Sequence, residues 1–340
     1  MRAVQHAFYG SAEEALKLTT AAPVPPLAPD QVLVRVAATS VNPIDCAVRS
    51  GYGSVYWEDV GFVTHPHTPG RDVAGEVVAV GAAVDAYKPG DAVWAGTLSG
   101  GSAEFAAIPQ DWLAPKPPSL TFLQAGSMPY VALTTWAALV DHGGLSAQSA
   151  RDKKVIVPRG AGGVGSFAIQ LLKAWGAHVA STCSTRNVDL VRSLGADVVV
   201  DYTKQDFTEV LKDYDFAFDT AFDCEAQLLG ALKTHAGAGY VSIVTPKLTL
   251  IDELGLEAGL AKGKDILAER VAAQARLGRR YAWSFMRPNG KALSTIGDLV
   301  EAGKIRPVID RVYGLSQLVE AQLFCETKQA QGKIVIDIAG

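Results

Sequence analysis

The sequence predicts an α/β protein in two parts, a small antiparallel β-barrel followed by a doubly wound parallel sheet. Three observations predict it. The first third carries short β-branched runs punctuated by turn residues. Strand-like and helix-like runs then alternate over roughly 130 residues. At the head of that alternation stands a glycine-rich turn, Gly160-Ala161-Gly162-Gly163-Val164-Gly165. A chain of 340 residues also suits about two domains of roughly 150 residues each.

In the β-rich part, Val32-Leu33-Val34-Arg35-Val36-Ala37-Ala38-Thr39 alternates in places, and Gly75-Glu76-Val77-Val78-Ala79-Val80-Gly81 is a β-branched run closed by glycine. Lys88-Pro89-Gly90-Asp91 signals a turn, after which Ala92-Val93-Trp94-Ala95 resumes a strand. The pattern changes near Ala125. Val155-Ile156-Val157 is a short apolar run, and Ser166-Phe167-Ala168-Ile169-Gln170-Leu171-Leu172-Lys173-Ala174-Trp175 has apolar residues at helical spacing, ending at Gly176. Four more strand-like runs follow, starting at Val179, Val198, Phe216 and Tyr240. The seam therefore falls near residue 125, with a first domain over 1–125 and a second over 126–288. In the tail, Lys304-Ile305-Arg306-Pro307-Val308-Ile309 and Gly332-Lys333-Ile334-Val335-Ile336-Asp337-Ile338 read as strands around a helix at about 316–328. Pattern alone leaves the owner of this tail open.

Composition narrows the function classes. A net charge of −4 with no block of like charges argues against generic affinity for nucleic acid or anionic membrane. No apolar run approaches the roughly 20 residues of a membrane helix. The first residues, Met1-Arg2-Ala3-Val4-Gln5-His6-Ala7-Phe8, lack the apolar core of a signal peptide and the character of a transit peptide. The expectation is a soluble, cytoplasmic protein with a small-molecule substrate; a homodimer is a candidate assembly. Cys46, Cys183, Cys224 and Cys325 are widely spaced, so neither a zinc knuckle nor a redox dithiol is indicated.

The glycine turn satisfies G-x-G-x-x-G, a weak signal by itself. Here it follows a strand and opens a helix, the context of a dinucleotide site. Glycines let the backbone approach a pyrophosphate, and free N–H groups at the helix start bind it. Ala161, Gly162, Gly163, Val164 and Gly165 are the candidate contacts. The next strand selects the cofactor. An NAD enzyme places Asp or Glu about 20 residues past the glycines, whereas this chain reads Thr182-Cys183-Ser184-Thr185-Arg186-Asn187. Hydroxyls and a guanidinium there suit a 2′-phosphate. NADPH is the expected cofactor, with Ser184 and Arg186 its selectors. The alternative is that Ser184 or Thr185 caps the following helix and Arg186 is a solvated charge.

Ser40-Val41-Asn42-Pro43-Ile44-Asp45, Pro69-Gly70-Arg71-Asp72-Val73-Ala74-Gly75, the Lys88–Asp91 turn, the glycine loop and Gly303-Lys304-Ile305-Arg306-Pro307 together resemble the medium-chain dehydrogenase/reductase superfamily in order and spacing. Pro129-Tyr130-Val131-Ala132-Leu133-Thr134-Thr135-Trp136 and Lys173-Ala174-Trp175-Gly176-Ala177-His178-Val179 resemble its zinc-free quinone oxidoreductase branch. The resemblance implies a GroES-like domain completed by 289–340, a Rossmann domain, and an active site in the cleft between them. It also implies cofactor contacts from Thr134, Tyr202, Thr245, Phe285 and Gln329-Ala330-Gln331. In relatives the position matching Tyr202 lies near the adenosine 2′-phosphate.

Zinc enzymes of the superfamily have Cys where this chain has Asn42 and His-Glu where it has Arg71-Asp72. The structural-zinc lobe is absent too, so no metal is expected. His65 and His67 stand in sequence near Cys46 and are read as loop or surface histidines. Without a Lewis acid, the implied chemistry is hydride delivery to a quinone or an α,β-unsaturated carbonyl. Tyr52 matches a tyrosine of related enoyl reductases, one residue closer to Asn42 than usual. It is a candidate donor, against a packing role. Asn42 is a candidate for holding the carbonyl oxygen or the nicotinamide ribose, against a turn-forming Asn before Pro. Two other functions stay open: a pathway-specific enoyl or carbonyl reductase, and a non-catalytic NADPH-binding protein.

Overall fold

A computed structural model describes residues 1–221 and 223–340. Strands β1 (Ala3–His6), β2 (Leu16–Thr19), β3 (Gln31–Val41), β4 (Asp72–Val80), β5 (Ala92–Gly96), β6 (Phe105–Pro109) and β7 (Leu113–Pro115) come first. Then follow β8 (Lys154–Val157), β9 (His178–Cys183), β10 (Val198–Asp201), β11 (Phe216–Asp219), β12 (Ala238–Ser242) and β13 (Arg279–Trp283), and finally β14 (Ile309–Gly314) and β15 (Lys333–Asp337). The chain divides into two compact units. One holds Met1–Leu133, Arg287–Gly303 and Pro307–Gly340; the other holds Thr134–Met286 and Lys304–Arg306.

The first unit is a curled sheet ordered β14-β15-β3-β4-β5-β7, with β6 also on β3. The long strand β3 causes the curl. One of its edges pairs with β4, while the other pairs with β6 over its first half and β15 over its last. Register shifts at Leu33/Val34 and Val36/Ala38 bend it between those partners. Its alternating valines Val32, Val34 and Val36 point into a core with Val73, Val77, Val93, Ile334 and Ile336, the period-2 burial of a one-sided sheet. This is the GroES-like barrel, and the tail strands β14 and β15 belong to it.

The second unit is a six-stranded parallel sheet ordered β10-β9-β8-β11-β12-β13, the strand order of a Rossmann fold. Its central strands β8 and β11 carry continuous apolar runs, as burial on both faces requires: Val155, Ile156, Val157, Ala217 and Phe218 are fully buried. The Gly163–Ala174 helix buries Phe167, Ala168, Ile169, Leu171 and Leu172 and stops before Gly176, whose φ of 80° is open to glycine. Tyr240 stacks on Tyr281 from the neighbouring strand, with centroids 5.0 Å apart.

One expected element is absent. Residues 304–309 form no strand before Ile309. Pro307 lacks an N–H, and the Gln170 carboxamide takes the place of a strand partner. Its Oε1 accepts from Arg306 N at 2.9 Å, and its Nε2 donates to Arg306 O at 3.1 Å. The tail helix runs Leu318–Glu326, shorter than the expected span.

Candidate active site

In the second unit, the sequence-named residues collect beyond the carboxyl ends of the parallel strands. Ala161, Gly162, Gly163, Val164 and Gly165 follow β8; Ser184 and Arg186 follow β9; Tyr202 follows β10; Thr245 and Phe285 follow the adjacent β12 and β13. In such sheets this edge is where helix N-termini and ligands meet. Tyr202 N–H donates to Cys183 O at 3.1 Å, which sets the Ser184–Arg186 turn beside Tyr202. Arg186 and Tyr202 are exposed and Ser184 is half-buried. Thr134, on the Pro129–Trp136 helix, is buried. Phe285 carries the Lys247 ammonium 5.2 Å from its ring centroid.

The glycines of the loop serve different purposes. A Cβ on Gly160 would lie 2.2 Å from Ser181 Oγ, and one on Gly165 would lie 2.3 Å from Arg159 O. The fold itself excludes side chains at both. At Gly162, which caps the Gly163–Ala174 helix, a Cβ would meet Arg159 O at 3.4 Å and nothing else within 4 Å. Internal packing barely requires that glycine. Its bare backbone does suit close approach of a phosphate to the helix start.

Asp201 was not foreseen. It ends β10 opposite Cys183, accepts from Thr185 Oγ1 at 2.6 Å and Thr203 Oγ1 at 2.7 Å, and pairs with Lys204 at 3.3 Å. These contacts, Thr185 first, hold its carboxyl down to about 2. The Thr185 hydroxyl is thereby engaged, and Ser184 Oγ accepts from Asn187 Nδ2 at 3.2 Å. A second unforeseen carboxylate, Asp219, ends β11. It accepts from Tyr240 OH at 2.6 Å and Ala221 N at 2.9 Å, and burial pushes its pKa up. A lone Asp closing an apolar strand was the available signal for each.

In the first unit, Asn42 follows β3 and caps the Pro43–Arg49 helix, with proline in its first turn. The Asn42 N–H donates to Asp45 Oδ2 at 2.8 Å. Its side chain is held at both ends: Nδ2 donates to Asp72 Oδ2 at 3.0 Å, and Oδ1 accepts from Lys333 Nζ. Lys333 opens β15 and lies 3.6 Å from Asp72 Oδ2. Asp72 also accepts from Ser40 Oγ, and from Tyr130 N at 2.7 Å. Arg71 Nε stands 3.3 Å from Asp45 Oδ1, and its guanidinium lies among the rings of Trp57, Phe62 and Tyr130. Asn42, Asp45, Arg71, Asp72 and Lys333 are all at most 5% exposed. Burial pushes the Asp45 carboxyl up, opposed mainly by Arg71. An ammonium at one end and a carboxylate at the other set the orientation of the Asn42 carboxamide, leaving one Nδ2 hydrogen for a further acceptor.

Lys333 was missed in the sequence. The signal was a lone cation in Gly332-Lys333-Ile334-Val335-Ile336. The Gln329-Ala330-Gln331 turn leads directly into it and is fastened by Gln331 N to Asp310 Oδ2 at 2.6 Å. Tyr52 is half-buried beyond the other end of the Pro43–Arg49 helix, between Gly51 and Gly53 with φ of 101° and 74°. Its N–H donates to Ala47 O at 2.9 Å. Cys46 Sγ donates to Gln322 O at 3.8 Å. His65 is exposed, as expected of a loop histidine. His67 is not: it is buried against His6, ring centroids 5.1 Å apart, because its backbone pairs with His6 as an isolated bridge. Among the described residues, no group of three or more His, Cys, Asp and Glu is placed to hold a metal ion.

Two family models match the chain, an alcohol dehydrogenase GroES-like domain over residues 28–118 and a zinc-binding dehydrogenase over 194–336. The mouse protein named NAD(P)H oxidoreductase RTN4IP1, mitochondrial, is 41% identical over 91% of this chain and 82% of its own length. An Arabidopsis thaliana NADPH-dependent alkenal/one oxidoreductase, chloroplastic, is 33% identical over 99% of this chain and 79% of its own. The solved quinone oxidoreductase of Coxiella burnetii superposes with a TM-score of 0.82 at 29% identity, covering 99% of both chains. The mitochondrial relatives, from mouse, zebrafish, cow and human, correct the expectation of a cytoplasmic protein. Composition carries no address, because targeting signals are short segments read by receptors. With this identity spread along nearly its whole length, the chain belongs to the medium-chain dehydrogenase/reductase superfamily.

Proposed function

We propose that this oxidoreductase transfers hydride from NADPH to a quinone or an α,β-unsaturated carbonyl, without a metal ion. The observation that carries the reading is the buried Asn42–Asp72–Lys333 network. A catalytic zinc takes three protein ligands of nitrogen, sulfur or carboxylate type. The positions that supply them in zinc relatives hold a carboxamide, a guanidinium and a carboxylate. Asp72 is already engaged by Ser40, Asn42, Tyr130 N–H and Lys333. A divalent ion there would meet the buried charges of Arg71 and Lys333, a repulsion that low dielectric amplifies. These residues do not fit zinc.

A substrate activated by its own conjugation suits such a site. NADPH, when bound, supplies the hydride. Ser184 and Arg186 receive its 2′-phosphate, where no carboxylate ends β9, and the backbone around Gly162 receives its pyrophosphate. Thr134, Tyr202, Thr245, Phe285 and the 329–331 turn complete the proposed cofactor contacts. Asn42 offers its remaining N–H to the carbonyl oxygen or the nicotinamide ribose. Tyr52 donates a proton or hydrogen bond as hydride arrives. The alkenal/one and quinone oxidoreductases among the relatives support an acceptor of this class.

The test is NADPH consumption by the purified chain with a panel of quinones and enones, with and without a strong chelator. Turnover on a conjugated acceptor, unchanged by chelation, is expected. Activity confined to alcohols or saturated aldehydes, or lost on chelation, would overturn the reading. NADPH binding with no turnover would favour a non-catalytic role.

A further inference from the structure

Strands β9 and β10 run side by side with Asp201 level with Cys183, so the turns that follow them meet. One carboxylate joins the two turns. Asp201 Oδ2 accepts from Thr185 Oγ1 at 2.6 Å, while Oδ1 accepts from Thr203 Oγ1 at 2.7 Å and from Thr203 N at 3.1 Å. The same Oδ2 pairs with Lys204 Nζ at 3.3 Å. The Lys204 backbone is anchored, its N–H donating to Asp201 O at 3.0 Å. Its side chain is nevertheless 66% exposed, against 12% for Asp201. An ammonium therefore stands one oxygen atom away from the Ser184–Arg186 turn, on a stem free to move. In an NAD enzyme a carboxylate at the end of the second strand bonds the ribose 2′-hydroxyl. Here the carboxylate arrives from the neighbouring strand instead. Left bare, it would repel a 2′-phosphate, a group of about −1.5 to −2 charges at neutral pH.

We propose that Lys204 is a specificity-determining residue for the cofactor: it masks Asp201 in the free protein and gives its ammonium to the 2′-phosphate when NADPH binds. The proposal rests on the reading that the Ser184–Arg186 turn receives that phosphate. An ammonium carries three donors that turn about a flexible stem. It can keep one on Asp201 Oδ2 and offer the others to phosphate oxygens as charge-assisted hydrogen bonds. Thr185 cannot take this part, because its one hydroxyl hydrogen goes to Asp201. NADH has a hydroxyl in place of the phosphate and leaves the Lys204–Asp201 pair as it stands. Lys204 thus acts on the preference between the two cofactors, not on binding of the dinucleotide as a whole.

The experiment titrates the full chain and its variants with NADPH and with NADH, followed by fluorescence. Lys204→Gln should weaken NADPH binding roughly 10-fold, the scale of one contact to a charged group, and leave NADH binding unchanged. Lys204→Arg keeps the charge and should retain most of the NADPH affinity. Adding Asp201→Asn to Lys204→Gln should restore part of the loss, since the unmasked carboxylate is then gone. The proposal is overturned if Lys204→Gln leaves NADPH affinity unchanged or weakens both cofactors equally. It is also overturned if the double variant recovers nothing while NADH still binds. An unaltered chain that binds both cofactors equally would overturn the 2′-phosphate reading itself, and the proposal with it.

Discussion

The ammonium of Lys333 donates to the carboxamide oxygen of Asn42, while Asp72 accepts from the nitrogen of the same carboxamide at 3.0 Å. Lys333 is thus both the counter-charge of a fully buried carboxylate and the group that sets how Asn42 faces. Removing it would leave Asp72 charged and short of its cation. Lys333→Met is therefore expected to lower stability by about 3–5 kcal/mol, the cost of breaking a buried pair from one side. Urea unfolding measures it, and adding Asp72→Asn should recover part of the loss because the two sites are coupled. A loss below about 1 kcal/mol would contradict the assigned pairing.

Arg186 is exposed beside Ser184 and Tyr202. Arg186→Ala should weaken NADPH binding by about 1–3 kcal/mol, the worth of a hydrogen bond to a charged group, and leave NADH binding nearly unchanged. Fluorescence titration with both cofactors is the check. Equal losses would assign Arg186 a structural role.

Tyr52→Phe keeps the ring and deletes the phenolic donor. With an enone, turnover should fall roughly 10- to 1,000-fold while NADPH affinity holds, as expected for loss of one positioned acid. A quinone should suffer less, since its reduced anion is stabilised and solvent can protonate it. Unaltered steady-state rates on both substrate classes would exclude Tyr52 as the donor.

The histidine pair gives a pH dependence of stability. Burial holds His6 at about 4 and His67 at about 3, against an ordinary value of 6.5. Between those values the unfolded chain binds protons that the folded chain refuses, so stability rises with pH there and declines as pH falls below about 6.5. A loss on the order of a few kcal/mol should accumulate as pH is lowered toward 4. Asp45 and Asp219, pushed up by burial, act in the opposite sense, so the histidine contribution is read as the difference between the chain and its His67→Gln variant. An equal dependence of the urea midpoint on pH between 7 and 5 in both proteins would rule out burial of His67 as a neutral ring.

Much of the nucleotide-binding unit was legible because its signals are local. The apolar run at Val155, the glycines from Gly160 to Gly165 and the helical spacing after Ser166 lie within one supersecondary unit, where period and turn chemistry act over a few residues. One local reading still failed for want of a partner. Residues 304–309 looked like a strand until Gln170 took the backbone of Arg306.

By itself the sequence determined the strand and helix periods, the glycines that a tight strand-to-helix turn requires, and the absence of a carboxylate at the end of β9. Only the tertiary structure decided what Asn42 faces. Its partners Asp72 and Lys333 lie 30 and 291 positions away, and no periodicity reaches that far. Pairing of β15 with β3 carries Lys333 to Asn42, and burial there makes a charge tolerable only beside its opposite.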